Sequence, residues 1–117
     1  MDAARKLRND AFQLVIHFPS EEKYGLTYQI KRASRSITAC IAEGHGRFTH
    51  KDQIHFCIIA GASATELLNH FIDAFDQKYI DRQILKSYQL IIEEIIKMLN
   101  GLISYLRKQA NNSKIKV

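Results

Sequence analysis

Apolar side chains recur every three or four residues along most of this chain. Leu7, Ala11, Leu14, Val15 and Phe18 set the first stripe and predict a helix over residues 4–17, which Pro19 stops. Ser20 stands as N-cap of a second helix, with Glu21 and Glu22 in the first turn, where the helix dipole favours negative charge. The stripe Leu26, Ile30, Ala33, Ile37, Cys40 and Ile41 carries that helix to about Gly44, and Gly44 and Gly46 flank His45 as a stop. Thr49 caps a third helix, along which Ile54, Ile58, Gly61, Thr65, Leu68, Ile72 and Phe75 keep the 3.6-residue period. Within it, the small residues at 60–64 suit a tight helix–helix contact. Residues 77–81 form a connector, and Asp81 caps a fourth helix over 82–108. Its apolar stripe, from Ile84 to Leu106, is broad enough to bury more than one face, part of it against another subunit. Four helices with short connections predict an all-α, antiparallel up-down four-helix bundle over residues 1–110, followed by a disordered basic tail at 111–117.

Composition agrees with one small domain. The chain has 117 residues, with five Gly and one Pro, too few breakers for many short strands. No apolar run approaches the roughly 20 residues of a membrane span, and no signal peptide is evident. Cys40 and Cys57 lie in helical runs outside any Cys-x-x-Cys pair and read as reduced thiols of a cytoplasmic protein.

Charge changes the picture. The net charge is +5, but residues 31–51 hold five bases against one acid, and residues 52–96 hold three bases against seven acids. On a helical wheel at about 100° per residue, Lys31, Arg32 and Arg35 fall roughly opposite the apolar stripe, with Tyr24 and Tyr28 on the same side. Arg47 and Lys51 extend this basic set past the helix end. Cations release counterions from phosphates, and a tyrosine ring stacks on an unpaired base, so the face suits nucleic acid. A solvated outer helix face has the same pattern, as does a surface that docks an acidic protein.

Catalytic and metal chemistry find little support. His17, His45, His50, His55 and His70 do not fall at His-x-x-x-His spacing. The Gly44–His45–Gly46 turn follows a helix rather than a strand and lacks the Gly-Lys-Ser/Thr of a phosphate loop. Glu93 and Glu94 point about 100° apart on a helix and do not form an acid–base pair. The expectation is a non-enzyme without cofactor or metal.

The string FPSEEKYGLTYQIKRASRSITACIAEGHGR, residues 18–47, carries further information. Its marks FP-x-EE-x-YGL, Q-I-x-RA, SI and IAEG-x-GR resemble the signature of the bacterial proteins encoded in intervening sequences of 23S ribosomal RNA genes, often labelled S23-type. Weaker likeness continues through residues 56–67 and 95–106. The resemblance implies a four-helix bundle that assembles as a homo-oligomer, a ring-like pentamer, with no enzyme activity and with RNA or DNA as proposed ligand. The accessory variability determinant proteins of diversity-generating retroelements are distantly similar. By that analogy Lys31, Arg32, Arg35 and Arg47 are nucleic-acid-binding candidates, with Arg32 and Arg47 directly on the motif. The chain departs from the pattern at Thr38, where many members have proline, at Cys40, a frequent asparagine, and in lacking a tryptophan-containing lead-in.

Overall fold

Pro19 and Gly25 bracket the irregular stretch between the first two helices, and they divide what the sequence pattern joins. The computed structural model describes residues 2–115, with side-chain surroundings given as far as residue 112. Helix α1 (Asp2–Val15) ends two residues before the predicted 17, closing with turn bonds from His17 N to Leu14 O and from Phe18 N to Val15 O, both 3.1 Å. Ser20 is not an N-cap. Residues Ser20–Glu22 form a single 3-10 turn, and α2 (Leu26–His45) starts only after Gly25.

Glu22 explains this division. Its Oε1 accepts from Leu26 N at 3.1 Å and so caps α2, while its Oε2 accepts from the Tyr79 hydroxyl at 2.8 Å. A Cβ at Gly25 would lie 2.7 Å from that capping Oε1. Phe18 is buried beside the Tyr79 ring, centroids 5.3 Å apart. One carboxylate thereby ties the α1–α2 turn to the end of the next hairpin.

Helix α3 (His50–Asp76) begins as expected, with Thr49 Oγ1 accepting from Asp52 N at 3.1 Å. It ends with Lys78 in the left-handed region, φ 66°, and with Tyr79 N bonded to Ala74 O at 2.9 Å. Helix α4 (Arg82–Ile115) is capped by Asp81, whose Oδ1 accepts from Ile84 N at 2.8 Å. The helix runs past the predicted end at 108, through residues read from the sequence as the start of the tail. Arg107, Lys108, Gln109 and Ala110 are strong helix formers with no breaker after them, which accounts for the continuation. Residues 116 and 117 lie outside the described residues.

Helix α2 packs on α1 and α3, α4 packs on α3, and α1 closes against α4. This is the neighbour pattern of an all-α four-helix bundle. Leu7 and Ala11, Ile30 and Ile37, Leu67 and Phe71, and Ile92, Ile95 and Leu99 fill its centre from all four helices. The Phe71 and Tyr88 rings stack there at 4.3 Å.

The helices differ in length. Helix α1 has 14 residues and α4 has 34, about 21 and 51 Å at 1.5 Å per residue. Ile84 and Ile91 sit with Leu14 and His17 of α1 around one hollow. Farther along that stripe of α4, Met98, Leu102 and Tyr105 are exposed. Below them a 140 Å³ cavity opens between Ile41, Cys57, Leu99 and Leu106.

Gly44 is not a stop. It is helical and buried, and a Cβ there would meet Phe56 Cβ at 3.0 Å. The close approach of α2 to α3 depends on it, whereas a Cβ at Gly61 would meet nothing within 4 Å. Gly44→Ala is therefore expected to lower stability by about 1 kcal/mol. Overpacking of 1–3 kcal/mol outweighs the helix propensity gained. A lower urea midpoint at unchanged slope checks this.

Burial, and secondarily the charge of Asp10, push the Tyr88 phenol up to about 12. The hydrogen bond to Glu22 raises Tyr79 as well. A phenol that holds its proton more tightly when folded stabilises the fold below its unfolded pKa near 10 and loses that contribution as pH rises toward 12. The urea midpoint should fall between pH 10 and 12, and less steeply in Tyr88→Phe; equal slopes in both proteins would contradict it.

Candidate nucleic-acid interface

The five sequence candidates do not share one surface. Lys31 and Arg32 are adjacent, so their side chains leave α2 about 100° apart. Lys31 turns toward α1, and Arg32 toward α3.

On the α1 side, the Phe12 ring is half-buried beneath two cations. Lys31 Nζ lies 5.4 Å and the Arg35 guanidinium 4.6 Å from its centroid. Arg35 also lines a cavity of about 650 Å³ with Arg5 and Arg8 of α1 and with Thr38, Ala39 and His45 of α2. Among the described residues, no carboxylate lines that groove. Among the described residues, Arg5, Arg8, Lys31 and Arg35 have no carboxylate within ion-pair distance. Arg8 donates to Asn9 Oδ1, from Nε at 3.2 Å and Nη2 at 3.1 Å. Tyr28, three residues before Lys31 on the same stripe, is exposed, and so is Tyr24, at 84%, with Lys23 Nζ 5.3 Å from its centroid.

On the α3 side, Arg32 is paired. Its Nη2 donates to both Glu66 oxygens at 2.7 Å, and its Nε donates to Gln29 Oε1 at 3.1 Å. Close by, the Ser36 and Ser63 hydroxyls meet at 2.8 Å. At the end of α2, Arg47 pairs with Glu43 and lies 4.9 Å from the Phe56 centroid. Lys51 stands apart from all of these, in a hollow with Ile54, Arg107, Ala110 and Asn111.

The structure thus brings Lys31 and Arg35 together, places Arg32 and Arg47 in ion pairs that join or brace helices, and moves Lys51 to the bundle's end. It adds Arg5 and Arg8, which the sequence reading did not include. Residues 1–30 carry four bases and four acids, and that balance concealed them. The usable signal was position: Arg5, Arg8 and Phe12 fall at i, i+3 and i+7 on one face of α1.

The groove is suited to anions. Four cations without local counter-charge repel one another, and a phosphate chain relieves that repulsion. Apolar Ala4, Ala39 and Ala42 along the floor leave room for a flat or apolar group between the cations. Elsewhere the chemistry is sparse. Among the described residues, no three His, Cys, Asp or Glu side chains gather closely enough to hold a metal ion. Cys57 is buried, and burial pushes its thiol up, away from the reactive thiolate. Among the described residues, no helix is long and apolar enough to cross a membrane.

Comparison with known proteins places the chain. None of the curated proteins matches it. A solved structure of a protein with unknown function from the S23 ribosomal protein family of Bacteroides thetaiotaomicron superposes with a TM-score of 0.78. The two chains are 23% identical, over 87% of this chain and 95% of the other, so the likeness is one of fold. The model of the 23S rRNA-intervening sequence protein family matches residues 1–101, from α1 well into α4. The motif residues Phe18, Glu22, Gly25, Arg32, Gly44 and Arg47 are those that cap, pair or allow close packing in this bundle, and the chain belongs to the 23S rRNA-intervening sequence protein family.

Proposed function

We propose that this protein is a non-catalytic, homo-oligomeric nucleic-acid-binding bundle with a preference for RNA, which it grips along the groove between α1 and α2. The observation that carries this reading is the groove lined by Arg5, Arg8 and Arg35, free of acids among the described residues, with Lys31 next to Arg35 over the Phe12 ring. Arg32 and Arg47 serve the fold instead, and Lys51 belongs to a separate surface. Exposed Tyr24 and Tyr28 favour single-stranded or looped RNA, whose bases are free to stack. Free thiols at Cys40 and Cys57 suit the reducing cytoplasm. A ring of subunits, a pentamer by resemblance, repeats the groove and multiplies modest affinity by avidity.

Fluorescence anisotropy with labelled single-stranded and hairpin RNA near physiological salt tests this directly. Binding in or below the range of non-specific complexes, roughly 1–100 µM, is expected. Absence of binding to both RNAs at those concentrations overturns it. Light scattering that finds a monomer at micromolar concentration removes the oligomer.

A protein scaffold is the second reading, favoured by the exposed apolar side chains Met98, Leu102 and Tyr105 on α4. A specific protein that stays bound after nuclease treatment supports that alternative; a partner lost with the nucleic acid supports the first.

A further inference from the structure

The loop between α2 and α3 holds Phe48 fully exposed. A lone exposed apolar residue carries little meaning by itself. This one is held outward by the residues on both sides of it. On one side, the Arg47 carbonyl accepts from Gln53 Nε2 at 2.8 Å, and its guanidinium is fixed by Glu43 and the Phe56 ring. On the other, Thr49 caps α3. With both neighbours anchored, the phenyl ring is displayed in water at a defined place, and the ordering cost of using it has been met in advance.

The surroundings are basic. Lys51, in the first turn of α3, shares a hollow of about 460 Å³ with Arg107 of α4, and no acid among the described residues lines it. The carboxylate of this turn, Asp52, leaves the helix about 100° away from Lys51. The groove of Arg5, Arg8 and Arg35 reaches His45, three residues before Phe48.

We propose that this end of the bundle is a base-stacking tip for single-stranded nucleic acid, in which Phe48 takes an unpaired base and Lys51 and Arg107 hold phosphates beside it. The proposal rests on the nucleic-acid reading above, but it uses residues outside the α1–α2 groove. Aromatic stacking is tolerant of sequence and is lost when bases are paired. The tip therefore distinguishes single strands from duplex and adds little sequence choice.

The chain has no tryptophan, so Phe48→Trp creates a unique fluorophore at the tip. A single-stranded oligonucleotide should quench its emission, and an abasic strand of equal length should not. Phe48→Ala should weaken single-strand binding roughly 5- to 150-fold, the equivalent of stacking one base, and leave duplex RNA binding unchanged. Lys51→Ala with Arg107→Ala should lower the salt slope by about 1.4, at ~0.7 per contact on a single strand. Circular dichroism should match wild type for every variant, because all three side chains are exposed.

If strands bind but leave the tryptophan emission unchanged, and Phe48→Ala binds as tightly as wild type, the tip is refuted and the groove stands. If no strand binds the wild-type protein, both fall. Emission that shifts to the blue with phosphatidylserine vesicles, and does not respond to strands, assigns the tip to an anionic lipid surface and overturns the proposal.

Discussion

Alanine at Arg5, Arg8, Lys31 and Arg35 together is expected to lower the salt slope of single-strand RNA binding by about 3, at ~0.7 per phosphate contact. Between 50 and 200 mM salt, a slope of that size corresponds to an affinity change of about 50-fold. The quadruple variant should therefore lose most of its binding at low salt, where the wild type is strongest. Wild type and variant should converge as salt rises. Folding should survive, because none of the four cations pairs with a carboxylate among the described residues. The informative control is Arg32→Ala. It breaks a bidentate pair between α2 and α3 and should lower the thermal midpoint while leaving the salt slope intact. Were Arg32→Ala to flatten the slope and the quadruple variant not, the assignment of the groove would be reversed.

Phe71→Ala is expected to cost about 3–5 kcal/mol, the range for emptying a large buried aromatic site. Phe71 is completely buried and stacks on Tyr88 at 4.3 Å, so its removal also strands that ring beside a cavity. Domains of this size hold about 5–15 kcal/mol in all. The loss should lower the thermal midpoint on the order of 10–20 °C. Calorimetry of wild type and variant under one buffer decides it. A shift of a few degrees would mean that α3 and α4 collapse into the space.

Much of the fold is legible in the residues themselves. Thr49 and Asp81 announce helix starts because a short side-chain oxygen three residues ahead of a free N–H is a local device, readable without the rest of the chain. The start of α2 is not local in that sense. Its cap is Glu22, reaching forward four residues while bonded to Tyr79, which comes from the far end of α3. Ser20 has the right chemistry and the wrong geometry. Gly44 misleads for a related reason, since glycine is needed there for the approach of Phe56 rather than to end the helix.

The site was legible in part. A wheel measures each residue against one apolar stripe, and it finds Lys31, Arg32 and Arg35 on one outer arc. In a bundle both flanks of that arc belong to neighbours. Phe12 of α1 and Glu66 of α3 divide the arc between them, and neither appears in the pattern of α2 alone. Arg5 and Arg8 were hidden by neutral arithmetic over their segment, although their spacing placed them on the face of Phe12.

The inequality of α1 and α4 implies two levels of protection along one helix. The amides of α4 near Tyr88 and Ile92 lie where four helices meet, and they should exchange with solvent only through global unfolding. Beyond Leu99 the helix has fewer neighbours and flanks an internal void, so its amides should exchange through partial openings that leave the Phe71–Tyr88 centre intact. Near its end α4 brings Arg107, Ala110 and Asn111 beside Lys51 in the first turn of α3. Fraying there is cheap, and a strand that binds across that end should suppress it. Slowed exchange confined to those turns would then report occupancy without any change in the rest of the bundle.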